Sequence, residues 1–125
     1  MLRVGIIGMG VGEQHIRGFQ SADTQLVAIA EKNLLKHKYL KSKYPNALIF
    51  DNAYKMIRET QLDIVSIASF DQDHAEQIIE SLNSGCHVFC EKPLCLTRED
   101  LKSIIKMWKK SKGLRISSNT ILRMS

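Results

Sequence analysis

The sequence predicts an α/β protein with a doubly wound parallel sheet of six strands, in the order 3-2-1-4-5-6. Two observations lead to this prediction. Short apolar runs rich in β-branched residues alternate with segments whose apolar residues recur at helical spacing. The first apolar run ends in a glycine-rich turn that leads into a helical segment. A strand, a glycine turn and a helix in that order are typical of sheets that bind dinucleotides.

Length and composition favour a single domain over residues 1–125. A chain of 125 residues with 44% hydrophobic composition can bury one proper core but not two. The net charge of +5 raises the question of an anionic partner. The lysines, however, concentrate at 36–43 and 102–112, in amphipathic segments where they fall opposite an apolar stripe. We therefore expect solvated helix faces and no nucleic acid partner.

The cellular setting follows from hydropathy and from the cysteines. No stretch approaches the roughly 20 apolar residues of a membrane span, and the chain opens directly into a strand. We expect a cytoplasmic protein with no membrane partner. The three cysteines, Cys86, Cys90 and Cys95, lack the paired spacing of metal ligands. This favours reduced thiols and no metal site.

The glycine turn lies between a strand at residues 4–7 and a helix over about 12–20. Glycine allows a sharp turn and a close approach of the backbone to a ligand, and the N-terminus of a helix favours a pyrophosphate. The spacing G-x-G-x-G departs from the usual G-x-G-x-x-G, with Glu13 where the third glycine would stand. Taken alone, the turn is also compatible with a loop that binds nothing.

Glu31 strengthens the dinucleotide interpretation. It follows the second strand, at residues 26–30, and lies 21 residues after Gly10. An acidic side chain at this distance can accept a hydrogen bond from the ribose 2′-hydroxyl of NAD and would repel the 2′-phosphate of NADP. The charge of Lys32 could offset that repulsion if its side chain turned inward. The alternative is a surface glutamate at a strand end.

The later segments keep the alternation. We expect further strands over residues 47–50, 62–69, 86–90 and 115–119 and helices over residues 34–43, 51–60, 73–85 and 97–113. In the first of these helices we expect Leu34, Leu35 and Tyr39 to face inward. In the last helix the expected apolar stripe consists of Leu101, Ile104, Ile105 and Trp108.

Residues after the fourth and fifth strands are further site candidates, because ligands of such a sheet bind beyond the carboxyl ends of its strands. Each has a structural alternative: His74 can be bonded within its own helix turn, and Lys92 can be an exposed loop lysine. The expected cofactor site comprises Gly8, Met9, Gly10, Val11, Gly12, Glu31, Lys32, Ser69, His74, Glu91 and Lys92.

Four motifs resemble the N-terminal domain of the glucose-fructose oxidoreductase and inositol dehydrogenase family (Gfo/Idh/MocA). They are the glycine turn followed by His15, the acidic Glu31, Asp71-x-x-His74, and above all Glu91-Lys92-Pro93 after a strand. The resemblance covers essentially the whole chain. In two departures, the shortened glycine motif brings His15 one residue early, and Phe70 stands where similar sequences often have proline.

The resemblance implies an NAD-dependent oxidoreductase that transfers a hydride to or from a sugar-like or polyol substrate. It implies that Lys92 lies beside the nicotinamide and acts on the substrate oxygen, and that Glu91 and Pro93 fix its loop. A second, substrate-binding domain is expected outside this chain, so the 125 residues should bind cofactor without turnover. A homo-oligomer is expected for the full-length protein. The chain is then a fragment or a free-standing cofactor module.

Two further function classes stay open. A non-catalytic NAD-binding sensor or interaction module fits the short length. A methyltransferase domain that uses S-adenosylmethionine also combines a glycine turn with an acidic residue at the end of the second strand. Two features argue against a methyltransferase. Ile6 and Ile7 precede the first glycine, where resemblance to methyltransferases would imply an acidic residue. Methyltransferases also do not share the Glu-Lys-Pro loop.

Overall fold

The computed structural model describes residues 1–8, 15–16, 19, 23–93 and 95–117. These residues form one parallel sheet in the order β3-β2-β1-β4-β5-β6. The strands are β1 (Leu2–Ile7), β2 (Thr24–Ala30), β3 (Leu48–Phe50), β4 (Ile64–Ile67), β5 (His87–Cys90) and β6 (Ile116–Ser117). The expected fold class and strand order are confirmed.

Helices connect the strands. In the described part of the chain they are α1 (His37–Lys43), α2 (Ala53–Glu59), α3 (His74–Asn83) and α4 (Arg98–Lys110). Single 3₁₀ turns at Leu34–Lys36 and Asp71–Asp73 lead into α1 and α3, and His15, Ile16 and Phe19 also have helical backbone. The side chains of Asn52 and Thr97 cap α2 and α4 by accepting backbone N–H groups that the helices cannot satisfy.

Both faces of the sheet are covered, because successive side chains of a strand point to opposite faces. On one face, Val4, Ile6 and Ile29 cluster with Ile16 and with Leu40 of α1. The larger cluster on the other face joins the sheet to α2, α3 and α4 and includes Ile7, Met56, Val65, Ile67, Ile78 and Ile104. Burial on both faces explains why the strands are apolar runs rather than alternating ones.

The segment 34–43, which comprises a 3₁₀ turn and α1, does not bury the residues expected to face inward. Leu34, Leu35 and Tyr39 are 65%, 91% and 50% exposed, whereas Leu40 is buried. The cause is local: the side chain of Asn33 accepts the N–H of Leu35 and starts a 3₁₀ turn. Such a turn has about 3.0 residues instead of 3.6, so it changes which side chains of the segment point at the sheet.

The apolar stripe of α4 is only partly buried. Ile104 is 3% exposed, but Leu101, Ile105 and Trp108 are 41%, 41% and 46% exposed. This helix lies beside β6, the edge strand of the sheet, so the described residues cover one side of the stripe alone. The expected stripe is therefore correct in spacing and incomplete in burial.

Gly8 ends β1 in a conformation that requires glycine. Its φ is +83°, and a Cβ added there would lie 2.6 Å from the carbonyl oxygen of Ala68. Gly85, after α3, has φ +82°, but nothing lies within 4 Å of the corresponding position. A side chain at Gly85 would therefore meet left-handed backbone strain alone, whereas a side chain at Gly8 would meet both that strain and steric overlap.

We expect Gly8→Ala to lower the free energy of unfolding by about 3 kcal/mol, because it adds overlap with a backbone carbonyl to left-handed strain. Gly85→Ala, the matched control, should cost about 1 kcal/mol from strain alone. Urea denaturation followed by circular dichroism measures both. Equal losses for the two variants would contradict a steric role for the contact with Ala68.

Candidate functional site

Backbone hydrogen bonds continue past the strand ends and hold the loops at the carboxyl edge of the sheet. The N–H of Gly8 donates to the carbonyl of Ala30 at 2.9 Å, and the N–H of Ala68 donates to the carbonyl of Ile7 at 2.8 Å. Because β1 lies between β2 and β4, the strand order reverses here. A crevice opens at such a point between loops that leave in opposite directions.

A cavity of about 260 Å³ occupies this crevice. Four of the residues expected at a cofactor site line it: Gly8, Glu31, Lys32 and Ser69. Met9, Gly10, Val11 and Gly12 lie outside the described residues. The cavity therefore brings together the start of the glycine turn and the acidic residue at the end of β2.

The cavity has further lining residues outside the expected cofactor site, among them Asp51, Phe70, Asp73 and Gln77. Asp51, Phe70 and Asp73 follow the carboxyl ends of β3 and β4, where ligands of such a sheet are expected. Gln77 lies within α3, so the same rule does not point to it. The hydroxyl of Ser69 donates to Oε1 of Gln77 at 2.5 Å, and Gln77 is buried. Phe70 is 67% exposed and presents an apolar surface at the rim.

Hydrogen bonds fix Glu31 at the end of β2. Its Oε2 accepts the backbone N–H of Asn33 at 2.9 Å, and its own N–H donates to the carbonyl of Phe50 at 2.8 Å. His37 lies with Nε2 2.7 Å from the carbonyl of Glu31. The carboxylate thus stands at the wall of the cavity with its backbone held from two sides.

An ion pair spans the rim of the cavity. Nζ of Lys32 lies 3.1 Å from Oδ2 of Asp73, and the two side chains are 67% and 26% exposed. Lys32 follows β2, whereas Asp73 ends the 3₁₀ turn before α3. The ammonium of Lys32, which could have turned inward to offset the charge of Glu31, therefore pairs with a carboxylate on a different loop.

The surroundings of Asp73 are acidic. The hydroxyl of Tyr54 donates to Glu76 at 3.0 Å. Burial, that hydrogen bond, and the charges of Glu76, Asp73 and Glu80 together raise the pKa of Tyr54 to about 12. An anion placed near this end of α3 would meet the same negative charges.

His15 connects the helical segment after the glycine turn to β4 and to the loop after β5. Its side chain is 6% exposed, its Nδ1 contacts Oγ of Ser66 in β4, and its Nε2 lies 2.5 Å from Oε1 of Glu91 after β5. The ring of Phe89 meets it edge to face, with centroids 5.1 Å apart. From the sequence, His15 is expected only as part of the glycine-turn motif. The hydroxyl partner, Ser66, had no local signal because it lies within an apolar strand.

His74 joins the loops after β4 and β5. It is 1% exposed, with Nδ1 2.5 Å from the carbonyl of Pro93 and Nε2 3.1 Å from the carbonyl of Ser69. Backbone carbonyls therefore lie beside both ring nitrogens, and the cofactor contact expected of His74 stays a prediction. The alternative of a bond confined to its own helix turn does not describe it either, because Pro93 lies 19 residues away.

Lys92 is exposed at the start of the loop after β5, and the Lys92–Pro93 peptide bond is cis. The two neighbours of Lys92 are each held by a buried histidine: Glu91 by His15 and Pro93 by His74. The N–H of Glu91 also donates to the carbonyl of Ile67 at 2.9 Å. The backbone on both sides of this lysine is thereby tied to the sheet.

The described residues also bear on whether the chain holds a metal site, a membrane span or a reactive thiol. No three of their His, Cys, Asp or Glu side chains are grouped so that they could hold a metal ion. No helix of the described chain is long and apolar enough to cross a membrane. The three cysteines are free thiols, and burial raises the pKa of Cys86 to about 11 and of Cys90 to about 12. Both thiols are therefore protonated and inert at neutral pH.

The chain belongs to the GFO_IDH_MocA family, an oxidoreductase family with an NAD-binding Rossmann fold, whose model matches residues 2–119. It is 34% identical over 106 residues to the D-glucoside 3-dehydrogenase of Escherichia coli (strain K12), covering 82% of this chain and 30% of that protein. It is 30% identical over 109 residues to the inositol 2-dehydrogenase of Paracoccus denitrificans (strain Pd 1222), covering 84% and 32%.

A solved structure is also similar over the full length of the chain. It is the scyllo-inositol dehydrogenase from Lactobacillus casei with bound NAD(H) and scyllo-inositol, at 25% identity and a TM-score of 0.88, covering 100% of this chain and 38% of that one. The chain thus spans about a third of the length of the relatives it matches. The expected family, fold and NAD-binding class are confirmed.

We expect Ser66→Ala to lower the free energy of unfolding by about 2 kcal/mol, because the buried Nδ1 of His15 loses its hydrogen-bond partner. Ser81→Ala is the control. Ser81 is equally buried, but its hydroxyl bonds only to the carbonyl of Gln77 in its own helix. This variant should cost less than about 1 kcal/mol. Thermal and urea unfolding compare them, and a smaller loss for Ser66→Ala would contradict the network.

Proposed function

We propose that this chain is the dinucleotide-binding domain, residues 1–125, of a longer NAD-dependent dehydrogenase that acts on a sugar-like or polyol substrate. The observation that carries the proposal is the cavity at the carboxyl edge of the sheet, which Gly8 and Glu31 line together. The fit to a dinucleotide rests on the chemistry of these two residues. A glycine leaves the backbone open to a pyrophosphate, and a carboxylate can accept ribose hydroxyls.

The substrate class comes from the relatives. The named dehydrogenases act on a glucoside or on inositol, both of which carry several hydroxyl groups. The chain spans about a third of these proteins, so we infer that the walls of the substrate pocket belong to a second domain outside residues 1–125. Residues 1–125 alone should then bind cofactor without appreciable turnover, because substrate positioning supplies a large part of catalysis.

Lys92 is the proposed catalytic residue. Nicotinamide, when bound, supplies or accepts the hydride. The ammonium of Lys92 can stabilise negative charge on the substrate oxygen or exchange a proton with it. Support comes from the loop itself, since two buried histidines hold the residues on either side of this lysine. Glu91 acts through this hydrogen bonding, as a residue that positions the loop.

The free thiols are compatible with a reducing compartment, and on this ground we infer a cytoplasmic protein. A homo-oligomer in the full-length protein stays a prediction.

A second candidate function is an NAD-binding sensor or interaction module without catalysis. Its support is that the matched family model describes an NAD-binding Rossmann fold over residues 2–119, and binding of a cofactor does not by itself require catalysis. A methyltransferase is disfavoured by the family match. Finding whether the coding sequence continues past Ser125 into a substrate domain separates the sensor from the dehydrogenase.

We expect the 125-residue chain to bind NADH at least about tenfold more tightly than NADPH, because Glu31 would repel a 2′-phosphate. We expect no binding of S-adenosylmethionine, because the chain belongs to an NAD-binding family. Glu31→Gln should bring the two affinities close together while keeping an acceptor for the N–H of Asn33. Isothermal titration calorimetry measures all three ligands. Glu59→Gln removes an exposed carboxylate from the end of α2 and should not change the preference. Equal or tighter binding of NADPH by the unmodified chain would overturn the assignment of Glu31.

In the longer protein, we expect Lys92→Ala to lower kcat by on the order of a hundredfold, with a much smaller effect on NADH affinity. Steady-state kinetics with inositol and with glucosides, together with NADH titration, separate the two effects. Lys102→Ala removes an exposed lysine of α4 and serves as the control. A kcat close to normal in Lys92→Ala would remove this lysine from the mechanism.

A further inference from the structure

The cations beside Glu31 decide how strongly the cavity rejects a 2′-phosphate. Lys32 and Lys36 both line the cavity that Glu31 lines. Lys32 is adjacent to Glu31 in the chain, yet its ammonium lies 3.1 Å from a carboxylate oxygen of Asp73. A lysine is a compact charge on a flexible stem, so its position follows the nearest strong negative charge. In this structure that charge belongs to Asp73.

We propose that Asp73 is a specificity-determining residue, which favours NAD by holding the Lys32 ammonium away from the position of a 2′-phosphate. The inference rests on the proposed function, because Glu31 has to stand at the ribose. A 2′-phosphate would then lie close to Glu31 and would need a cation to offset the repulsion. Asp73 competes with the phosphate for Lys32 and adds its own negative charge to the rim.

The neighbourhood of Asp73 strengthens this competition. Glu76 lies three residues further along α3, and its carboxylate accepts a hydrogen bond from the hydroxyl of Tyr54. The charges of Glu76, Asp73 and Glu80 all act on that hydroxyl, so Asp73 belongs to a negatively charged neighbourhood. Arg58 pairs with Glu80 at 3.0 Å, and Lys32 is the cation that pairs with Asp73. Lys36 also lines the cavity and is kept unchanged in every test, so that it contributes equally throughout.

The exposure of the pair sets the size of the effect. The side chains of Lys32 and Asp73 are 67% and 26% exposed, so water and salt screen their attraction. Exposed ion pairs contribute at most about 1 kcal/mol, which corresponds to about a fivefold change in an affinity. The carboxylate makes no side-chain cap bond to α3, so its replacement by an amide should leave the helix intact.

The test measures the ratio of NADPH to NADH affinity by calorimetry on the 125-residue chain. Asp73→Asn should raise this ratio about fivefold at about 50 mM salt and less than about twofold at about 500 mM salt. In the double variant Asp73→Asn, Lys32→Gln the rise should fall below about twofold, because the released ammonium is absent. Thermal unfolding verifies that each variant is folded.

Asp23→Asn is the matched control. It makes the same chemical change at an 82% exposed carboxylate, but Asp23 precedes β2 and Glu31 follows it. Eight residues of extended chain separate the two sites by about 25 Å, beyond the reach of salt-screened charges. The ratio should therefore not change in this variant.

An unchanged ratio in Asp73→Asn, an equal rise in the double variant, or an equal rise in Asp23→Asn would each overturn the role of Asp73. If NADH binds and Glu31→Gln relaxes the preference while Asp73→Asn does not, this inference alone fails. If the unmodified chain binds neither dinucleotide, the proposed function fails, and the inference fails with it.

Discussion

The close approach of Gly8 and Ala68 is the constraint on which the carboxyl edge of this sheet depends. Their backbones come so near that a Cβ on Gly8 would lie 2.6 Å from the carbonyl oxygen of Ala68. Only glycine allows this contact together with a φ of +83°. The contact brings the end of β1 against the end of β4 where the strand order reverses, and the walls of the cavity form around it.

A second level of order comes from two buried histidines. His15 ties Ser66 of β4 to Glu91 after β5, and His74 ties the loop after β4 to Pro93. A polar side chain buried to this extent is stable only when its nitrogens have partners, so each histidine enforces the position of the groups it meets. Lys92 lies between these two contacts, with its side chain exposed and its neighbours hydrogen-bonded to the two histidines.

Charged side chains of both signs line the cavity. Glu31, Asp51 and Asp73 set a negative rim, and two lysines partly offset it. Specificity for a nucleotide cofactor depends on the balance of such charges at one atom of the ribose, because a phosphate and a hydroxyl differ mainly in charge. The charges that would decide this balance in the proposed site, Glu31, Lys32 and Asp73, all lie in this chain.

The sequence by itself determined the fold class, the family, and the placement of Glu31 and Ser69 at strand ends, because apolar alternation and motif spacing are local properties. The inward faces of the 34–43 segment and of α4 could not be read from spacing, since a 3₁₀ turn and an edge strand altered them. Only the tertiary structure decided which side chains meet. His15 and Glu91 are 76 residues apart and Lys32 and Asp73 are 41 residues apart. These pairs exist because the parallel strand order collects distant loops at one edge, and no local pattern encodes that meeting.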